Sequence, residues 1–431
     1  MNKSETIMQQ KGYFFKQRFL TILNLLIFSF WHKCGYCLQY KQHTSPEQTE
    51  GAVSGPAIIY FKMAYRRDDS MKIFQIASIP GDGIGRETVS AGRQVLDTLC
   101  KVHGGLRLEY LDLDWSCEYY LKHGQMMPDD GLDILRPCDA VYLGAVGFPG
   151  VPDHISLWGL LLPIRRTFRQ YVNLRPVKLL PGVRTPLADR TPKDIDFLVV
   201  RENNEGEYSN MGGRLYQGTD REVVIQNTVF TRVGIEQVIR YTFDLAVKTG
   251  RQKVTSATKS NGINFTMTFW DEVFAEVGKA YPNIMTNQFH IDALCARFVT
   301  HPQDFEVVVG SNLFGDILTD LGPAIAGSIG VAPSANINPT QEFPSMFEPV
   351  HGSAPDIAGK GIANPMGQIW CGAMMLDHLG FADGGELVMQ ALTDTLAAGM
   401  TTADIGGCSN TRKVTESVCT RIRMLAGTLA S

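Results

Sequence analysis

The chain has 431 residues, of which 44% are hydrophobic and 19% are charged, as is typical of a folded globular protein. Lys and Arg number 40 against 44 Asp and Glu, so the net charge of −4 argues against a broad nucleic-acid surface. The nine cysteines are odd in number and scattered, which favours a reducing compartment over secretion. The length predicts roughly two or three domains.

Residues 1–70 differ in character from the rest. The first 62 residues carry seven basic and three acidic side chains, a net charge of +4. The uncharged run Phe19–Trp31 is shorter than the ~20 residues of a membrane span, and no signal-peptide cleavage site follows it. Cys34 and Cys37 form a lone C-x-x-C, a weak metal or redox signal. We expect this extension to be disordered or to precede the true start, with Met63 and Met71 as candidate starts.

From residue 72 onward, short β-branched segments alternate with amphipathic ones. Strands are predicted at 72–79, 139–143, 196–200, 223–230 and 306–309. Helices are predicted at 86–100, 231–248, 267–281, from about 316, at 367–379 and at 386–398. Strands that alternate with helices predict an α/β fold.

A glycine-rich turn, Gly81–Gly85, connects the first predicted strand to the first predicted helix. Its last glycine comes one position too early for the dinucleotide-binding pattern G-x-G-x-x-G. The spacing therefore favours a tight strand-to-helix loop at the border of a pocket over a Rossmann fingerprint.

Three arginines, Arg165, Arg175 and Arg201, are candidates for anion binding. Arg165 belongs to a predicted helix, whereas Arg175 precedes a proline and Arg201 precedes a polar turn, so we expect both outside regular elements. Guanidinium groups bind carboxylates through paired hydrogen bonds, and three of them suit a small di- or tricarboxylate. Taken singly, each arginine is more typical of a surface ion pair than of a ligand site.

Carboxylates on one predicted helix face are candidate metal ligands. Asp316 and Asp320 are spaced i, i+4, and Asp292 is available as a third ligand. Hard carboxylate oxygens suit Mg²⁺ or Mn²⁺. Lys259 follows a predicted strand in a turn of small residues.

The segment from His351 to Asn364, with sequence HGSAPDIAGKGIAN, resembles the cofactor loop of the β-decarboxylating dehydrogenases, the family of isopropylmalate, isocitrate and tartrate/D-malate dehydrogenases. The likeness extends from about Lys72 to Arg412. The segments 156–162, 170–176, 201–208, 290–298 and 330–336 resemble the tartrate/D-malate members. Pro163 is a small departure, where the resemblance implies a polar or basic residue.

The resemblance implies an isopropylmalate-dehydrogenase-like fold rather than a Rossmann fold. A large discontinuous domain would comprise 71–170 and 327–431, and 171–326 would form a smaller domain that pairs in a homodimer. The resemblance also implies contacts with NAD from these residues: Gly81, Ile84, Gly144, Gly147, Glu348, His351, Gly352, Ser353, Ala354, Asp356, Ile357 and Asn364. Asp356 favours NAD over NADP because a carboxylate binds ribose hydroxyls and repels a 2′-phosphate.

By the same resemblance, the enzyme oxidises and decarboxylates a small 2-hydroxy dicarboxylate, tartrate or D-malate, the latter to pyruvate, CO₂ and NADH. The three arginines would bind the carboxylates. Asp316, Asp320 and the dimer mate's residue Asp292 would hold Mn²⁺ or Mg²⁺, and a monovalent cation such as K⁺ is possible. Lys259, also from the neighbour, would take the hydroxyl proton, and Tyr208 would protonate the enolate.

Two other functions stay open at this point. Leu160, Leu161 and Leu162 are compatible with a pocket for the isopropyl group of 3-isopropylmalate. A regulatory paralogue without turnover is the second alternative, although it would have no need of both Lys259 and Tyr208. We expect no nucleic-acid or membrane partner. The expected compartment is the cytoplasm, or the mitochondrion if the basic extension is real.

Overall fold

A computed structural model describes residues 71–430 of the chain. Twelve strands occur in this part: β1 Lys72–Gly81, β2 Leu106–Asp112, β3 Ala140–Ala145, β4 Val172–Lys178, β5 Asp196–Glu202, β6 Gly206–Leu215, β7 Val223–Val229, β8 Lys253–Thr258, β9 Met285–His290, β10 Val307–Gly310, β11 Pro333–Ile337 and β12 Ser345–Pro349.

The helices of the same part alternate with these strands. They are α1 Gly85–His103, α2 Cys117–His123, α3 Gly131–Leu135, α4 Asp153–Ser156, α5 Leu162–Thr167, α6 Arg232–Lys248, α7 Thr266–Gly278, α8 Ile291–Thr300, α9 Asn312–Ile325, α10 Met366–His378, α11 Ala382–Ala397 and α12 Thr411–Ala430. The α/β prediction is therefore confirmed.

Ten of the strands form one mixed sheet in the order β2-β1-β3-β12-β11-β4-β5-β10-β8-β9. Pairing is parallel towards both edges but antiparallel between β12 and β11, β11 and β4, and β4 and β5. This order and the antiparallel centre differ from the Rossmann arrangement. Two apolar clusters pack against the sheet, and the larger contains Trp270, Phe243 and Phe298.

The remaining strands, β6 and β7, form a separate antiparallel ribbon. Its side chains are mostly exposed, including the large apolar residues Met211, Leu215, Val224 and Ile225. Among the described residues, the helix Asn312–Ile325 contacts β6, and the large apolar side chains named above remain exposed.

Two expectations about local structure are wrong. Arg175 lies within β4 and Arg201 within β5, although both were expected outside regular elements. Pro176 is tolerated because β11 pairs with β4 only as far as Leu174, which leaves the proline without a ladder partner on that side.

Helix α9 begins at Asn312 instead of about 316, because the Ser311 side chain accepts a hydrogen bond from the Phe314 amide and caps the helix there.

Some features of the sequence lie outside the described residues. These are the apolar run Phe19–Trp31, the pair Cys34 and Cys37, and the candidate start Met63. Across residues 71–430, no helix is both long and apolar enough to cross a membrane. The seven cysteines of that part are unbridged.

Candidate active site

A buried row of polar side chains crosses the centre of the sheet. Residues directly opposite each other on paired strands project to the same face. The pairs along this row are Glu348 with Ser334, Asn336 with Asn173, and Asn173 with Arg201. The sheet therefore brings distant residues together on one face, since Asn173 and Glu348 are 175 positions apart in the chain.

The three predicted substrate arginines meet on this face. Arg165, Arg175 and Arg201 are only 7, 8 and 4% exposed. Burial, followed by the charge of Arg201, lowers the pKa of Arg175 to about 10, and burial together with the charge of Arg165 lowers that of Arg201. Three buried cations that repel one another form a site suited to an anion.

Carboxylates within the chain neutralise part of this positive charge. Glu348 Oε1 accepts a hydrogen bond from Arg165 Nη2 at 2.6 Å. Arg165 Nε nevertheless remains buried without a partner, so one donor is uncommitted. Arg175 donates to Thr319 Oγ1 at 2.6 Å, and its Nη1 lies 3.7 Å from Asp316 Oδ1.

Helix α9 carries Asp316 and Asp320 along the rim of the arginine cluster, as the i, i+4 spacing predicts. Asp316 Oδ1 accepts a hydrogen bond from Arg201, and Asp316 Oδ2 accepts one from the Tyr208 hydroxyl at 3.2 Å. Partial burial and the neighbouring Asp316 raise the pKa of Asp320. Two adjacent carboxylates, one of them exposed, have the hard oxygen donors that a divalent cation prefers, and its charge would offset their repulsion.

Tyr208 stays protonated at neutral pH in this environment. Burial and the charge of Asp316 raise the pKa of its hydroxyl, and the Arg201 guanidinium lies 5.5 Å from the ring centroid. The hydroxyl is therefore a donor beside the arginine cluster.

Lys259 and Asp292 form a second, separate group. Lys259 follows β8, and its Nζ donates to Asp292 Oδ1 at 2.6 Å. The two side chains are 30 and 68% exposed, and the lysine lowers the pKa of Asp292. Among the described residues, no three His, Cys, Asp or Glu side chains converge on one point, so Asp292 does not join Asp316 and Asp320 within one chain.

The glycine-rich turn and the loop after β12 contact each other directly. The Ile84 amide donates to the Ser353 carbonyl at 2.8 Å, and a Cβ on Gly83 would lie 2.0 Å from that oxygen. A Cβ built on Gly147 would lie 3.3 Å from Ser353 Oγ, so Gly147 also lies beside this contact. Several residues expected to bind the cofactor therefore meet around Ser353.

Asp82, which sequence reasoning passed over, fixes this turn. It is fully buried and accepts hydrogen bonds from the backbone amides of Cys117 at 2.9 Å and Gly147 at 3.1 Å. Its position inside the glycine pattern was the available signal. Gly144 has a packing role as well, since a Cβ there would lie 2.3 Å from the Pro80 carbonyl oxygen.

The remaining predicted cofactor residues lie in the loop that follows β12. His351 is buried, its Nε2 has no partner, and burial lowers its pKa, so a neutral imidazole faces the loop. Asp356 is exposed and Ile357 is half-buried. The Asn364 side-chain amide donates to Asp404 at 2.9 Å and accepts from the Met366 backbone amide at 3.0 Å. These two hydrogen bonds fix the end of the loop. Gly352 and Ala354 flank Ser353 in the same loop.

The segment before the arginine helix is irregular. Residues Leu157–Leu161 form a π-helical turn, and Pro163 then occupies the first turn of α5, where its missing amide proton is tolerated. Leu160 and Leu162 are buried in the core of the chain itself. Leu161, the third leucine of the candidate isopropyl pocket, is half-buried.

The chain is similar to known dehydrogenases over most of its length. A profile described as isocitrate/isopropylmalate dehydrogenase matches residues 75–418. A probable tartrate dehydrogenase/decarboxylase of Bacillus subtilis is 56% identical over 83% of this chain and 100% of its own length. The D-malate dehydrogenase [decarboxylating] of Escherichia coli is 55% identical over 81% of this chain and 98% of its own.

A solved structure gives the same answer for the fold. The isocitrate dehydrogenase of Methylococcus capsulatus superposes with a TM-score of 0.73 at 33% identity, covering 81% of this chain and 99% of that one. Profile, relatives and fold agree with the arginine and carboxylate geometry, and the chain belongs to the isocitrate/isopropylmalate dehydrogenase family.

Proposed function

We propose that this protein is an NAD- and divalent-metal-dependent dehydrogenase that oxidises and decarboxylates a small 2-hydroxy dicarboxylate, D-malate, tartrate or both. Enzymes of the family use NAD or NADP and a divalent metal. The observation that carries the proposal is the cluster of three buried arginines beside two helix carboxylates. Relatives named for tartrate and D-malate dehydrogenation support this substrate class.

The arginine cluster would bind the substrate carboxylates and fix the orientation of the C2 hydrogen. Arg165 Nε, buried and without a partner, supplies one donor that a substrate carboxylate would satisfy. A substrate with two carboxylates within a few bonds of each other matches cations packed this tightly.

Lys259 Nζ would take the proton of the 2-hydroxyl, and the Tyr208 hydroxyl would give a proton to C3 after CO₂ has left. Tyr208 is suited to this because its raised pKa keeps the proton in place until it is needed. When bound, NAD accepts the hydride, and a Mn²⁺ or Mg²⁺ ion acts as a Lewis acid. Asp316 and Asp320 of one chain, with Asp292 of the partner subunit, are the residues that would hold the ion.

We infer a homodimer from two features of the chain. The lysine and Asp292 lie apart from the arginine cluster in one chain, so a complete site needs a second copy. The β6–β7 ribbon exposes apolar side chains, and Phe265, six residues after Lys259, is 84% exposed. A second copy of this chain is the occupant that would cover both surfaces.

The proposed domain boundaries at 170/171 and 326/327 are supported by the strand order. Strands from residues 72–145 and 333–349 form one half of the sheet, and strands from 172–310 form the other half. Cofactor loops lie on the first half, and the lysine lies on the second. We propose the cytoplasm as the compartment.

A steady-state panel tests the proposed function. The purified protein is assayed for NADH absorbance with NAD⁺, Mn²⁺ or Mg²⁺, and D-malate, the tartrates, 3-isopropylmalate or isocitrate. We expect D-malate or tartrate to give the highest kcat/KM. A preference for isopropylmalate would assign a different reaction of the same family, and no turnover of any acid would favour the regulatory paralogue.

A further inference from the structure

The side-chain amide of Asn336 lies at the centre of the buried polar row and is hydrogen-bonded through both of its atoms. Asn336 is fully buried on β11. Its Nδ2 donates to Glu348 Oε1 at 2.7 Å, and its Oδ1 accepts from Asn173 Nδ2 and from Asn203 Nδ2, both at 2.9 Å. Both halves of the amide are used, so no other side chain of similar size reproduces this pattern.

The same oxygen of Glu348 receives the hydrogen bond of Arg165. Arg165 Nη2 and Asn336 Nδ2 both donate to Glu348 Oε1, at 2.6 and 2.7 Å. The donor from Asn336 fixes where that carboxylate points, and the carboxylate in turn fixes the guanidinium. No hydrogen bond joins Arg165 and Asn336 among the described residues, so the hydrogen-bonded path from the asparagine to the arginine runs through Glu348.

We propose that Asn336 is a positioning residue of the substrate site, which sets the orientation of Arg165 through Glu348 and so determines how tightly the substrate carboxylate is bound. This inference rests on the proposed function, because it takes Arg165 as a carboxylate-binding group. Asn336 itself reaches neither the substrate nor the reacting atoms.

Asn336→Asp is the sharpest test, because it keeps the shape and the acceptor but replaces the donor by a second carboxylate beside Glu348. Two adjacent buried carboxylates repel and share a proton as the pH falls. A protonated acid at position 336 donates to Glu348 again, so the defect should be repaired at low pH. The charged or titratable groups around the pair are Glu348 on β12, Arg165 on α5, Arg175 on β4, Arg201 on β5, Asp316 on α9 and Cys371 on α10.

Asn338→Asp provides a matched control. Asn338 is also buried, lies two residues further along the chain, and donates its amide to the Phe168 carbonyl at 2.8 Å. It has no hydrogen bond to Glu348 among the described residues. Loss of its donor disturbs a buried contact of the same kind at the end of α5, and leaves the hydrogen bonds to Glu348 in place.

The experiment measures KM and kcat for D-malate or tartrate between pH 6 and 9, and the substrate dissociation constant by calorimetry without NAD⁺. For Asn336→Asp we expect KM and the dissociation constant to rise roughly ten- to hundredfold at the alkaline end, the scale of a lost charge-assisted hydrogen bond, and to approach the unmodified values at the acidic end. kcat should change less than KM. Asn338→Asp should keep the profile of the unmodified protein.

An Asn336→Asp variant with unmodified KM at every pH, or with a rise that is equal in Asn338→Asp, would overturn the inference. If Asn336→Asp does not fold, Asn336→Ala is compared with Asn338→Ala: a rise in KM only in the first supports the positioning role, and equal effects overturn it. Failure of the unmodified protein to turn over either acid would overturn the proposed function, and the inference with it.

Discussion

The arginine cluster and the Lys259–Asp292 pair contain the same kinds of groups in opposite surroundings. The arginines are buried, repel one another and donate hydrogen bonds to side chains of β12 and α9. Lys259 is half-buried and Asp292 is exposed, and the two side chains form an ion pair with each other. The first group is held in place within one chain, whereas the second is the group that we propose to act on the site of a second copy. Burial and hydrogen bonds, more than residue type, therefore distinguish the charged groups that one chain fixes in place from those that it leaves accessible.

The largest effect is expected for Lys259→Ala. Loss of the proton acceptor should lower kcat by roughly 10³-fold, within the range of a general base, with little change in melting temperature because the side chain is partly exposed. Lys178→Ala is the control, since Lys178 also forms an ion pair, 2.9 Å from Asp196. Equal kcat values for the two variants would show that Lys259 is not the proton acceptor.

Tyr208→Phe should come next, with a loss of about 10² in overall turnover. Hydride transfer should be less affected than protonation of the enolate, which stopped-flow measurements of NADH and pyruvate separate. Tyr281→Phe is a matched control, because that hydroxyl also donates to an aspartate, Asp244, at 2.7 Å. Unchanged D-malate turnover in Tyr208→Phe would show that another group donates the proton.

Cofactor choice should give a smaller effect. We expect NAD⁺ to be preferred over NADP⁺ by at least about tenfold in kcat/KM, or about 1.4 kcal/mol, because Asp356 would face the 2′-phosphate. Asp356→Lys should narrow or reverse this ratio, and Lys360→Ala, in the same loop, should leave it unchanged. Equal use of both cofactors by the unmodified enzyme would contradict the assignment of this loop.

The smallest effect is expected at Glu202, next to Arg201, and it is an effect on the pH dependence of stability. Burial raises the pKa of Glu202 to about 7 although the amides of Asn204 and Glu205 donate to it. The folded state therefore binds a proton more tightly than the unfolded state, and this contribution to stability is present at acidic pH and lost as the pH rises towards 7. Glu202→Gln should flatten the decline in melting temperature between pH 5 and 8. An unchanged slope would show that this carboxyl does not titrate in that range.

Much of this site was predictable from the sequence, and the reasons are local. Asp316 and Asp320 share a helix face because of their spacing, and the glycine turn follows from the strand and helix on either side. The arginines were identified but placed outside regular elements, because the proline after Arg175 conceals a strand that pairs with β11 only before the proline and with β5 on both sides of it.

The buried polar row was not predictable from the sequence. Asn173, Ser334 and Asn336 have no spacing that links them, and only the order of β4, β11 and β12 in the sheet brings them together. Asn173 precedes Arg175 by two residues and so shares its strand face, a weak signal once the strand is known. Register between distant strands is a tertiary property, which a single chain's periodicity does not encode.

The claim that the active site is completed by a second copy is tested most directly by mixing two inactive proteins. Asp316→Asn lacks a helix carboxylate beside the arginine cluster, and Lys259→Ala lacks the lysine that we propose as the proton acceptor. After verified subunit exchange, each mixed dimer contains one site with both residues intact, so an equal mixture should recover about a quarter of the unmodified activity. No recovery, with subunit exchange confirmed by mass spectrometry, would contradict the shared site.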